Sequence, residues 1–99
     1  SHTAGIPYGS LYARDSIPFF NSLKPENLAG VVPKIATKPL MYEPGERYTY
    51  GLSTDVCGYL VEIFSGMTLA DFFQQRIFAP LGIKDTHFYL PADKADRLV

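Results

Sequence analysis

The chain has 99 residues, nine basic and ten acidic for a formal net charge of -1, and 46% of it is hydrophobic, with seven Phe and seven Tyr. That length and composition suit one compact domain burying roughly two-thirds of its unfolded surface, and the charge balance offers no basic patch for nucleic acid or an anionic membrane. The single cysteine, Cys57, excludes an internal disulfide, and apolar runs of only a few residues exclude a membrane-spanning segment.

Residues 1–10 read as an exposed loop punctuated by Gly5, Pro7 and Gly9. The start, Ser1-His2-Thr3-Ala4-Gly5, has neither the basic nor the apolar region of a leader, and the chain reads as an excerpt of something longer. Leu11 to Phe20 predicts a short helix ended or kinked near Pro18. A second helical piece is expected to start near Pro25, with Leu28, Val31, Val32 and Ile35 at helical spacing and Pro33 breaking or kinking it. Lys38 to Arg47, with two prolines and a glycine, predicts an extended connection.

Ser53 to Ser65 carries the clearest helical signal. Ser53 or Thr54 is the expected cap, Asp55 lies near the positive end, and Gly66 can end the helix in a left-handed turn. Val56, Leu60, Ile63 and Phe64 form one stripe, widened by Cys57 and Val61, which predicts deep burial and an inert buried thiol at Cys57. In the next helix Thr68 can cap, with Asp71 three residues on. Leu69, Phe72, Phe73 and Ile77 share a face, and Pro80 and Gly82 stop it. Thr86 to Leu90 is β-branched and aromatic and predicts a short strand. The fold class expected is mainly α with irregular connections and one short strand.

Chemistry is sparse. Serines stand at 1, 10, 16, 22, 53 and 65, none with a lysine three residues later, and no Gly-x-Ser-x-Gly elbow occurs. His2 and His87 lie in no zinc-binding pattern, no phosphate-binding glycine loop is present, and the carboxylates are scattered. No cofactor and no metal is therefore expected. Asp55 reads as a helix-terminus charge, His2 as a loop-orienting residue, and Phe64, Phe72, Phe73 and Phe78 as core. Taken alone, Tyr50 reads as one of seven tyrosines packing a ring inside and a hydroxyl at the surface. Its setting is more specific, because it stands between the Pro44-Gly45 turn and the helix start, with Gly51 freeing the backbone beyond it.

Three segments resemble, in order, the middle of a penicillin-recognising serine hydrolase, the superfamily of class C β-lactamases, DD-peptidases and related esterases and acyltransferases. His2-Thr3-Ala4-Gly5-Ile6-Pro7 looks like its "His-Thr-Ser-Gly-Leu-Pro" loop. Pro44-Gly45 through Cys57-Gly58 looks like "Pro-Gly-x-x-x-x-Tyr-Ser" leading into "Leu-Gly". Phe78 to Ile83 and Thr86-His87-Phe88 look like "Pro-Leu-Gly-Met-x-x-Thr-x-Phe". The resemblance runs from His2 to Phe88.

It implies the helical region of an α+β β-lactamase/transpeptidase-like fold, with residues 1–99 a single fragment that lacks the nucleophile and the closing sheet. It puts Tyr50 in the place of the catalytic tyrosine. Leu52 stands where class C β-lactamases have the asparagine of Tyr-x-Asn, which contacts a lactam's side-chain amide, so Leu52 becomes a substrate-binding position favouring the esterase and acyltransferase branch. The function implied is a fragment of a serine hydrolase acting on esters through an acyl-enzyme intermediate, inert alone. A β-lactamase or DD-peptidase fragment and a non-catalytic helical binding module are the alternatives. The partners expected are a small-molecule ester or lactam and the missing remainder of the parent chain.

Overall fold

The computed structural model describes residues 1–7 and 27–99, so the helix expected over Leu11 to Phe20 and the start near Pro25 lie outside the described residues. The chain divides into two compact units, Ser1–Val61 and Glu62–Val99. Among the described residues there are three helices, α1 (Leu28–Ala36), α2 (Ser53–Ser65) and α3 (Leu69–Leu81), followed by a 3₁₀ segment, Ala92–Arg97. None of these helices is by itself long and apolar enough to cross a membrane.

In the first unit, α1 is capped by Asn27, whose Oδ1 accepts from the Gly30 N–H at 3.0 Å. Pro33 lies inside the helix and does not break it. A proline in a helix interior costs about 3 kcal/mol. Val32 and Ile35, buried on either side of it, each return about 1.5–3 kcal/mol, and the cap adds to that.

The N-terminal loop is bound to the segment before α2 by three backbone bonds. Met41 N–H donates to Gly5 O at 2.9 Å, Gly45 N–H to Thr3 O at 2.7 Å and Thr49 N–H to His2 O at 2.7 Å. Residues 38–47, expected to be extended, instead bend to follow that loop, with Glu46 N–H closing the Pro44-Gly45 turn onto Glu43 O at 3.0 Å. Two glycines permit the approach. A Cβ on Gly5, whose φ is +77°, would overlap the Tyr42 carbonyl, and one on Gly51 would overlap the Ile6 carbonyl.

α2 begins with the Leu52 carbonyl accepting from Val56 N–H at 3.2 Å. The expected Ser53 cap is absent, for Ser53 Oγ is buried without a hydrogen-bond partner. The deep burial expected of α2 is also absent: none of its residues is buried, Leu60, Ile63 and Phe64 are exposed, Phe64 by 84%, and so is Cys57. An apolar stripe states what a helix can bury and not what covers it, and nothing among the described residues encloses this one.

In the second unit, the end of α2 and the start of α3 satisfy each other's backbone. Gly66, at φ +68°, donates to Glu62 O at 2.9 Å. The Glu62 carboxylate accepts from Leu69 N–H at 2.8 Å, and Thr68 Oγ1 caps Asp71 N–H at 3.2 Å. Two of the orphan donors of α3 are met in this way, one by a charge placed favourably at the positive helix end.

Pro80 does not stop α3. The helix widens to a π turn over Gln74–Phe78, with Ala79 N–H donating to Gln74 O, before Pro80 is reached. Pro80 has no N–H and its ring would press on the carbonyl four residues back; a wider turn removes that clash. The extra residue also moves the apolar face. Phe78 is buried, with its ring 6.0 Å from Phe73, and Ile77, expected on that face, is exposed. Gly82, at φ +67°, and Ile83 then close the helix by donating to Ala79 O and Phe78 O at 3.2 and 2.8 Å, a Schellman ending.

Thr86 to Leu90 forms no strand, and no strand occurs among the described residues. The reason is the absence of a paired edge: the segment instead lays Phe88 against Phe73, 5.6 Å between ring centroids.

Replacing Gly51 by alanine is expected to destabilise the protein by about 1–3 kcal/mol, since the new methyl group collides with backbone that has nowhere to go. Gly45→Ala meets open space and carries only the left-handed backbone penalty of about 1 kcal/mol. Urea denaturation of both variants would check the order.

Candidate active site

Tyr50 stands three residues before α2 and is 61% exposed. Tyr48 is also exposed, whereas Thr49 between them is 6% exposed. This is the pattern of a locally extended chain, in which residues two apart share a side. Thr49 is turned inward, its N–H held by His2 O, and Gly51 is pressed against Ile6. Tyr50 is therefore fixed on both sides by main-chain contacts with the N-terminal loop.

The His2 ring lies against this segment. Its centroid is 4.9 Å from that of Tyr50, tilted by 39°, and 5.7 Å from that of Tyr48, edge to face. His2 has φ +55°, the left-handed region, which costs a residue with a Cβ roughly 1–2 kcal/mol. Its Nδ1 and the Thr49 Oγ1 are buried with no hydrogen-bond partner. Neither feature is legible in the sequence, where His2 is one of two histidines and Thr49 lies in an otherwise exposed run.

Leu52 is half-buried at the cap position of α2. The structure thus holds Tyr50 and Leu52 on one short segment, either side of Gly51. Asp55 lies exposed in the first turn of α2, as a helix-terminus charge should.

The second unit carries a different polar group. Arg97 grips Asp85 with two bonds of 3.1 and 2.9 Å, and Lys94 Nζ reaches Asp85 Oδ1 and His87 Nε2, each at 3.1 Å, as well as the Lys84 carbonyl. An ammonium only donates, so in this contact Nε2 of His87 is the acceptor. Hydrogen bonds from Arg97, then from Lys94, hold the Asp85 carboxyl well below the usual carboxylate range. Phe73, Ile77, Phe78, Thr86, His87 and Phe88 line an open groove of about 500 Å³ in the same unit. Phe73 and Phe78 belong to the aromatic stripe expected to be core; Phe64 takes no part in it.

A model of the beta-lactamase family matches residues 1–99. The chain belongs to that family. Relatives in it include a lovastatin esterase of Penicillium rubens, 44% identical over 97 residues, covering 97% of this chain and 24% of the relative. The esterase EstB of Burkholderia gladioli is 33% identical over 94 residues, covering 89% of this chain and 24% of the relative. A monacolin J acid methylbutanoyltransferase of Aspergillus terreus is 34% identical over 92 residues, covering 91% and 22%. The chain therefore spans about a quarter of the length of these beta-lactamase-family relatives, which are esterases and acyltransferases.

Asp85 makes the 3₁₀ segment sensitive to acid. Its carboxyl is depressed in the folded state, so the stabilisation it supplies is complete above the ordinary value of about 3.9 and is lost as pH falls from there toward the folded value. NMR titration of the Ala92–Arg97 amides should be flat from neutral pH to about 5 and move below about 4. In Asp85→Asn the amides should already be shifted at neutral pH, and the part of the acid transition that Asp85 carries should be gone.

Proposed function

We propose that this chain is the tyrosine-bearing helical segment of an esterase or acyltransferase that works through a serine-bound acyl intermediate. The observation that carries the reading is Tyr50, an exposed phenol fixed between the Pro44-Gly45 turn and α2, at the position the family resemblance gives the catalytic tyrosine. The names of the relatives support an ester substrate.

In this reaction a serine oxygen from the remainder of the full-length enzyme adds to the ester carbonyl while its proton passes to the Tyr50 oxygen. The carbon–oxygen bond to the alcohol breaks, and the alcohol leaves with that proton. Water or a second alcohol then releases the acyl group by the same steps in reverse. A phenol titrates near pH 10, so Tyr50 needs a cation beside it to act as a base. The lysine of a Ser-x-x-Lys motif in the remainder of the enzyme would supply it. The 99 residues alone contain neither that serine nor that lysine and are inert toward esters.

Leu52 directs the choice of substrate. It offers neither donor nor acceptor to the acylamino group of a lactam, and a lactam amide buried beside it is left unpaired. A short acyl ester has no such group and loses nothing.

In the full-length enzyme, Tyr50→Phe keeps the ring and should cut ester turnover by about 10² or more, as loss of a positioned proton-transfer group does. Tyr48→Phe should change it far less, and equal mild effects at both positions would remove Tyr50 from the mechanism.

The unmodified enzyme should give a higher kcat/KM with a p-nitrophenyl ester than with a chromogenic cephalosporin. Equal efficiency would restore the lactamase reading.

A further inference from the structure

We propose that His2 is a positioning residue for Tyr50, its imidazole forming the wall that holds the phenol in one orientation. The role rests on the reading of Tyr50 as the proton-transfer group. Three features define the setting of His2, and the ring contact is the one that carries the role. Its backbone is in the left-handed region, at φ +55°. Its Nδ1 is buried with no hydrogen-bond partner. Its ring lies 4.9 Å from the Tyr50 ring, with Tyr48 on its edge at 5.7 Å.

The residue type answers to the combination. A loop that needed only the left-handed backbone would be served by glycine or asparagine. Histidine is an aromatic ring on a residue type that is enriched in left-handed backbone. What the position requires is therefore a flat ring on a left-handed backbone, and what that ring touches is Tyr50.

The need for a wall follows from exposure. Tyr50 is 61% exposed, and an exposed tyrosine has several staggered side-chain wells open to it. The main chain on either side is already fixed, by Thr49 N–H on His2 O at 2.7 Å and by Gly51 against Ile6. The imidazole packs against the side chain itself and closes off one side of the range of its torsions. His2 thus supplies both the carbonyl that anchors the segment and the ring that orients its phenol.

The test is a pair of variants in the full-length enzyme, each also made on Tyr50→Phe, with kcat and KM measured on a p-nitrophenyl ester. His2→Asn keeps a side chain tolerant of left-handed backbone and removes the ring; it should lower kcat about tenfold or more with KM nearly unchanged, as misplacement of a reacting group does. His2→Phe keeps the ring and should stay within about threefold of the unmodified enzyme. On the Tyr50→Phe background, His2→Asn should cause no further loss, because a group that acts through Tyr50 has nothing left to position. The same loss in both backgrounds, or equal damage from the two His2 variants, overturns the proposal. A crippled Tyr50→Phe beside an unaffected His2→Asn overturns the role of His2 alone, and full turnover in Tyr50→Phe overturns the role of both residues.

Discussion

Everything at the candidate site depends on how closely two stretches of backbone approach. Residues 2–5 lie along residues 41–49, joined to them by backbone hydrogen bonds, and Ile6 and Pro7 lie against Gly51 where a single methyl group would not fit. Close main-chain contact is a stricter constraint than side-chain packing, because backbone cannot change rotamer to relieve a clash. Gly5 and Gly51 are the two places where that strictness is visible. The exposed tyrosine between them gains a fixed root from it, and an exposed residue on a loop ordinarily has none.

The second unit is organised by helix ends. Three glycine- or proline-containing boundaries succeed one another, and each leaves backbone groups that must find partners. Glu62, Thr68 and the Gly82-Ile83 ending provide them. Beyond α3 the chain carries no regular ladder, and Asp85 with its two cations takes over, tying the 3₁₀ segment to the loop that precedes it. The pair Arg97–Asp85 is exposed, so its value lies in geometry, two bonds fixing one orientation, more than in Coulomb energy.

Local chemistry was the part of the fold legible in the sequence. Thr68 ahead of Asp71, Gly66 after Ser65 and Gly82 after Leu81 are readable because the cause sits within a few residues of the effect. The π turn was not readable, since Pro80 announces a disturbance without saying whether the helix ends or widens. Pro33 departs from its expected effect for a related reason: propensity is local, and the burial of Val32 and Ile35 that overrides it is not. The stripe on α2 and Cys57 show the limit most clearly, because an apolar pattern reveals a face and never the surface that meets it. The ordered motifs led to the family itself and nominate Tyr50 and Leu52 as candidate site residues. The left-handed backbone of His2 and the inward turn of Thr49 left no mark in the pattern of residues.

The contacts that pose Tyr50 join parts of the chain far apart in sequence. Thr3 and Gly45 are separated by about forty residues, and closing a loop of that length costs about 3 kcal/mol in chain entropy before any contact is made. The capping contacts around α3 close loops of a few residues and form early by comparison. The tyrosine is thus set in place by a non-local closure rather than by local structure. Its arrangement reports on whether that long loop has closed, and helix formation alone says nothing about it.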